Sequence, residues 1–245
     1  MSKKVMITGA TGDVGKSLCG ILDKLGYDVL SSSRRKPEGW RHPFIPIDII
    51  DLDVFKNALK GVDVLIHLAG QREPDAGFED LIGPNIRGAY NAFEAARTAG
   101  VKKVLFASSV NVSNGQDTEL LSDNVISPSS LYGSSKAFGE ALARYYSEYY
   151  MMACFCFRMG WTLPFSESKT LLMNPPMDSL YAKKVYLSVE DFAQIVHLAI
   201  EAPNDLNFGV FNALSDNREK LLDISKAESV LGYKPKHDAF SILES

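Results

Sequence analysis

The sequence predicts an α/β protein: a doubly wound parallel sheet followed by a small C-terminal lobe. Three features predict this. Short, continuous apolar runs alternate with amphipathic stretches through residues 1–160, and strands of that kind belong to parallel sheets covered on both faces. Crossovers between such strands are right-handed, which winds helices onto both sides. After residue 160 the periodicity loosens and Pro164, Pro175 and Pro176 interrupt it, as expected of a less regular lobe.

In chain order, residues 4–8 (KVMIT) read as a buried strand and 14–25 as a helix, with Val14, Leu18, Ile21, Leu22 and Leu25 at helical spacing. Residues 27–32 form a second strand and 44–47 a short third. Asp51 is a good N-cap for a helix over 52–59. Residues 62–68 (VDVLIHL) give the fourth strand, 86–99 a helix ended by Gly100, and 104–108 the fifth strand. A long helix over 130–149 leads to a sixth strand at 153–158. Residues 161–184 read as loop with one helical turn. Beyond them come a helix at 189–200, a short strand at 210–212 and a last short helix at 223–231.

Composition narrows the function. The 245 residues are 46% hydrophobic and 23% charged, with 26 basic and 30 acidic side chains. A net charge of −4 argues against nucleic acid as a partner. No apolar run approaches the roughly 18–20 residues that span a bilayer, so no membrane partner is expected. The N-terminus enters a strand pattern at once, unlike a secretory leader. Cys19, Cys154 and Cys156 are too few for a disulfide framework or a structural zinc site. A cytoplasmic protein with reduced thiols is expected.

The turn TGATGDVG follows the first strand and opens the first helix. Gly9 allows the tight turn, Gly12 a close backbone approach to a pyrophosphate, and Gly15 close helix–strand packing. Thr11, Asp13 and Val14 complete the turn, and the helix N-terminus adds N–H donors and partial positive charge. A ligand-free glycine turn is the alternative, and the strand–turn–helix context weighs against it. An acidic residue ending the second strand would bind the ribose 2′-hydroxyl of NAD. Here that strand runs into Ser33, Arg34 and Arg35. A guanidinium pairs with a 2′-phosphate, so NADP is expected and NAD less so; a solvated basic loop is the alternative. Residues 1–160, with 187–202 returning to them, form the expected dinucleotide-binding Rossmann domain. Residues 161–186 and 203–245 form the expected substrate lobe.

Tyr132 and Lys136 (YGSSK) stand four apart near the start of the long helix, on one face. An ammonium beside a phenol lowers the phenol pKa from about 10, so Tyr132 can exchange a proton with a hydroxyl or carbonyl. Ser109 ends the fifth strand at the carboxyl edge of the sheet, where ligands sit in this architecture, and can hold the substrate oxygen.

These motifs resemble those of the extended short-chain dehydrogenase/reductase family, its NAD(P)-dependent epimerase/dehydratase group. TGATGDVG is similar to the family's glycine motif, HLAG to its fourth-strand motif, and NIRGAYNAFEAARTAGVKKVLFASS to its long helix and fifth strand. YGSSKAFGE, VYLSVEDFAQIV and LGYKPK resemble the catalytic helix, a late helix start and the C-terminal ending. The resemblance implies a catalytic set of Ser109, Tyr132 and Lys136, with Lys136 also on the nicotinamide ribose. It implies that Leu68, Ala69 and Gly70 lie beside the cofactor, that Asn85 supports its active-site side, and that Asp48 and Ile49 lie near the adenine. The layout is similar to a compact branch, that of the uronate dehydrogenases. That branch carries an acidic residue where Arg34 stands, small polar residues where Gln71 and Arg72 stand, and an SSNH-like run where this chain has SSVN. The short segment after the sixth strand speaks against a nucleotide-sugar substrate.

Arg72, Asn111 and Arg158 are the substrate candidates. For Arg72 a solvated loop arginine is the alternative, and for Arg158 a structural ion pair. His67 reads as a core histidine; His42, His197 and His237 lack ligand spacing, so no metal is expected. Tyr145, Tyr146, Tyr149 and Tyr150 crowd one helix end, and the resemblance implies a homodimer through that region. The expected function is an NADP-dependent oxidoreductase of a small polyol, aldose, sugar acid or related carbonyl. The alternatives are a sugar epimerase or dehydratase with tightly held cofactor, and a non-catalytic NADP-binding regulator. Specificity is expected to reside in residues 71–84, 110–127 and 161–186.

Overall fold

The period of two in the first strand divides the molecule. In β1 (Lys4–Thr8), Val5 and Ile7 enter the core on one face of the sheet and Met6 enters the core on the other. The same alternation sends Phe155 and Phe157 one way, and Cys154 and Cys156 the other. The computed structural model describes residues 2–113, 125–203 and 205–244.

The chain runs β1, α1 (Asp13–Lys24), β2 (Asp28–Ser33), β3 (Phe44–Pro46), α2 (Leu52–Ala58) and β4 (Val64–His67). It continues through α3 (Phe78–Leu81), α4 (Gly88–Ala99), β5 (Lys103–Ser109), α5 (Leu131–Tyr150) and β6 (Ala153–Met159). The remainder is β7 (Trp161–Leu163), α6 (Phe165–Met173), α7 (Ser179–Lys184), β8 (Tyr186–Ser188), α8 (Val189–Glu201), β9 (Phe208–Ala213) and α9 (Ala239–Glu244). Seven strands form one sheet in the order β3-β2-β1-β4-β5-β6-β9, every pair parallel. Helices α1 and α8 cover one face through Leu18, Leu22, Phe192 and Ile195; α2, α4 and α5 cover the other through Phe55, Phe93 and Ala143. The strand order reverses at β1, between β2 and β4, which opens a crevice at their carboxyl ends. The predicted caps are in place: Asp51 accepts from the Asp53 and Val54 amides, and Gly100 ends α4 at φ 76°.

The late chain departs from the sequence reading. Residues 161–184 are not loop with one turn but hold β7, α6 and α7. Pro164 stands just before α6, and Asp178 caps α7 by accepting from the Tyr181 amide at 2.8 Å. Each helix is too short to display a helical period. Residues 208–213 are not part of a separate lobe: β9 pairs with β6 and completes the central sheet. The helix expected from residue 86 begins at Phe78 as α3 and passes through a π-helical turn (Ile82–Arg87) into α4. Gly83 and Pro84 read as helix breakers, but the wider turn accommodates them. The helix expected over 223–231 is largely a π-helical turn, Ala227–Leu231, closed by Gly232 at φ 74°. The short α9 packs Ala239 beside Leu172 and Tyr186.

Candidate active site

The glycine turn is shaped by backbone contacts. Gly9 has φ +69°, and a Cβ there would lie 2.8 Å from the Ala69 nitrogen. A Cβ on Gly15 would lie 2.4 Å from the Gly9 carbonyl oxygen, so α1 abuts β1 only because that carbon is missing. A Cβ on Gly12 would meet nothing nearer than that carbonyl, at 3.4 Å. The open side of Gly12 faces a cleft of about 1810 Å³. No side chain caps α1, which leaves its first amides for an anionic ligand.

The cleft brings together nearly all the predicted cofactor residues. Gly9, Thr11, Gly12, Asp13, Val14 and Gly15 line it from the first turn, and Ser33 and Arg34 from the end of β2. Asp48 and Ile49 line it after β3, and Leu68, Ala69 and Gly70 after β4. The Thr11 hydroxyl donates to Ser33 Oγ at 2.9 Å, joining two of these walls. Arg35 is not among the lining residues. Asn85 lies behind the wall, 4% exposed. Its Oδ1 accepts from the Gln71 amide at 2.7 Å, and its Nδ2 donates to the Gln71 carbonyl and to Ser135 Oγ on α5. It thus ties the loop after β4 to the helix of Tyr132.

At the other end of the cleft stand Ser109, Tyr132 and Lys136. Ser130 caps α5 by accepting from the Gly133 amide at 3.1 Å, which sets the start of the helix. The helix lies very close to its neighbours: a Cβ on Gly133 would stand 2.2 Å from the Asn111 carbonyl oxygen, and one on Gly139 2.2 Å from the Phe106 ring. The Ser109 hydroxyl, which accepts from the Asn111 amide at 3.2 Å, favours the Tyr132 phenolate. Lys136 Nζ donates to the Ala107 carbonyl at 2.8 Å and lies 5.7 Å from the Tyr132 ring centroid. Burial pushes Lys136 down to about 8. Burial also pushes the Tyr132 phenol up, outweighing Ser109, and the charge on Glu73 adds to the rise. The expectation that the neighbouring ammonium of Lys136 lowers the phenol pKa is therefore corrected: in the free protein desolvation decides, and Ser109 opposes it.

Arg158 also corrects its expected role. Its side chain is 1% exposed and does not line the cleft. Nε and Nη2 donate to the Glu140 carboxylate at 2.9 and 2.8 Å. Nη1 donates to Ser113 Oγ and to the Val125 carbonyl. A buried guanidinium with this many acceptors is part of the frame. Arg72 does line the cleft, but its Nη1 bonds Asp13 Oδ2 at 2.6 Å, toward the glycine turn. Asn111 lines the cleft beside Ser109. Of the expected specificity segments, 114–124 lies outside the described residues. The expected specificity segment 161–186 supplies Trp161, Glu167 and Tyr181 to the cleft lining, though the sequence singles out none of the three. Three-residue strands and short helices bring them there, and no periodicity marks such elements. Among the described residues, no three His, Cys, Asp or Glu side chains group as a metal site, and no helix is long and apolar enough to cross a membrane.

Known proteins agree with this geometry. The profile of the NAD dependent epimerase/dehydratase family matches residues 5–162. The chain belongs to that family. This family member is 29% identical to L-arabinose 1-dehydrogenase (NAD(P)(+)) of Haloferax volcanii, over 98% of this chain and 99% of that one. It is 33% identical to uronate dehydrogenase of Pseudomonas putida, over 95% of this chain and 84% of that one. A mutant uronate dehydrogenase from Agrobacterium tumefaciens, solved in complex with NAD, superposes with a TM-score of 0.84 at 28% identity, covering 100% of this chain and 88% of that one. The protein is accordingly an NAD(P)-dependent dehydrogenase of the epimerase/dehydratase family. Its residues fit the dinucleotide: a glycine turn with one open side, an uncapped helix start and a cleft reaching the Ser109–Tyr132 pair.

Proposed function

We propose that this protein is an NADP-dependent oxidoreductase of a small sugar, sugar acid or related alcohol or carbonyl. The observation that carries the reading is that Ser109, Tyr132 and buried Lys136 line the same cleft as the glycine turn. Tyr132 exchanges a proton with the substrate oxygen, Ser109 holds that oxygen, and Lys136 holds the nicotinamide ribose. The bound nicotinamide supplies the redox chemistry, and the protein supplies position and charge. The sugar class is supported by relatives named for arabinose and uronate. The preference for NADP rests on Arg34, which lines the cleft at the end of β2 where the last residues, Ser31, Ser32 and Ser33, bring no carboxylate.

A homodimer fits the exposed aromatic surface of α4 and α5, where Tyr90, Tyr145, Tyr149 and Met151 face solvent. Three buried, unpaired cysteines fit a reducing, cytoplasmic setting. The test is reduction of NADP and NAD with aldoses, uronates and simple alcohols. Turnover is expected with NADP above NAD. Tyr132→Phe should lose at least about a hundredfold in kcat while still binding the dinucleotide. Undiminished turnover in Tyr132→Phe would overturn the mechanism; a preference for NAD would overturn the cofactor assignment.

A further inference from the structure

We infer that the substrate is a neutral aldose rather than a uronate or a sugar phosphate. This rests on the dehydrogenase reading above and adds a charge requirement to it. Three cations line the cleft, and none belongs to residues 159–185. Arg34 stands at the end of β2, Lys136 donates to the Ala107 carbonyl, and Arg72 is matched by two carboxylates, Asp13 at the start of α1 and Glu73 beside it. Beyond the Ser109–Tyr132 pair, the wall built from residues 159–185 has a different character. Its one charged side chain in the cleft lining is Glu167, in the first turn of α6. Lys169 is exposed on α6, Lys183 lies over the Phe240 ring and Lys184 beside Glu219, and none of the three lines the cleft.

An anionic sugar brought against this wall would lose hydration without gaining a counter-charge and would meet Glu167 as a like charge. A neutral sugar meets no such penalty. Its hydroxyls donate to the Glu167 carboxylate and exchange hydrogen bonds with Asn111, Thr162 and Asn174, all in the cleft lining. Trp161, in the same wall, offers an aromatic surface to the apolar face of a pyranose. Among relatives named for both arabinose and uronate, this charge pattern suits the neutral sugar.

The experiment compares matched pairs under saturating NADP and, in parallel, NAD: D-galactose against D-galacturonate, and D-glucose against both D-glucuronate and D-glucose 6-phosphate. The neutral member of each pair is expected to show at least about tenfold higher kcat/KM. Glu167→Gln should raise kcat/KM for the acids by about tenfold, the size of one partly screened like-charge contact, and lower it for the neutral sugars, which lose a charged acceptor. Glu167→Arg should raise the value for the acids further. Glu167 is exposed on α6, and circular dichroism of both variants checks that they fold. An acid or phosphate preference in the wild type would overturn the inference and leave the dehydrogenase reading intact. So would an acid-to-neutral ratio unmoved in both folded variants. Failure to reduce either dinucleotide with any of these sugars, with dinucleotide still bound, would overturn both.

Discussion

Removing the Glu140 carboxylate should cost this protein about 3–5 kcal/mol of stability, the usual range for breaking a buried ion pair from one side. The geometry explains the size. The Glu140 and Arg158 side chains are 5% and 1% exposed. The carboxylate accepts from Arg158 Nε at 2.9 Å, from Nη2 at 2.8 Å and from Ser108 Oγ at 2.5 Å. In Glu140→Ala two guanidinium donors and a buried hydroxyl lose that acceptor, while Nη1 keeps Ser113 and Val125. For a chain of this length the loss corresponds to a fall in Tm of about 6–20 °C. Glu140→Gln keeps an acceptor and should cost less, about 2 kcal/mol. Urea unfolding followed by the fluorescence of Trp40 and Trp161 measures these differences. The double variant Glu140→Leu/Arg158→Met should lose less than the sum of its single substitutions, because neither charge is then buried alone. A Glu140→Ala protein within about 0.5 kcal/mol of wild type, with KM for the substrate selectively raised, would refute the reasoning and return Arg158 to the cleft.

Three further outcomes are expected. Gly15→Ala must displace the Gly9 carbonyl from a 2.4 Å approach; it should weaken NAD(P)H binding at least about tenfold by titration and cost about 1–3 kcal/mol in thermal unfolding. Burial, helped by the charge on Lys136, holds His67 down at about 3 against an ordinary 6.5. The unfolded chain therefore binds the extra proton first: stability from this residue is complete above pH 6.5 and is lost as pH falls from 6.5 toward 3. His67→Leu should flatten the unfolding free energy over that window, and an unchanged slope would reject the assignment. Burial pushes Cys19 up to about 12 and raises Cys154 and Cys156 as well; Ellman's reagent at pH 8 should find no reactive thiol in the folded protein and all three in denaturant.

What the amino-acid order reveals tracks how local each determinant is. Val5, Met6 and Ile7 announce a strand with two buried faces, and the glycine turn announces its ligand, because neighbours in sequence create both. Tyr132 and Lys136 are readable for the same reason, being one helical turn apart. Arg158 is ambiguous because Glu140 lies 18 residues away, and only helix–sheet packing brings them into contact. Burial of Tyr132 is likewise a tertiary property, so the direction of its proton affinity could not be read from the nearby lysine. Trp161 reaches the cleft on β7, a strand of three residues paired with β8, and Glu167 on the short helix α6, elements too short to leave a period. Residues 208–213 are misjudged because an edge strand arriving late in the chain looks like part of the lobe that precedes it.

Helix α5 meets its surroundings through bare backbone at Gly133 and Gly139. Two absent methyl groups therefore decide how deep the phenol sits. Any side chain gained at either place would lever Tyr132 and Lys136 away from Ser109, so this half of the cleft has little room to drift. The opposite wall is assembled from short pieces whose outward residues can change with small steric consequence. Mutation can thus explore new sugars on one bank while the reaction stays anchored on the other.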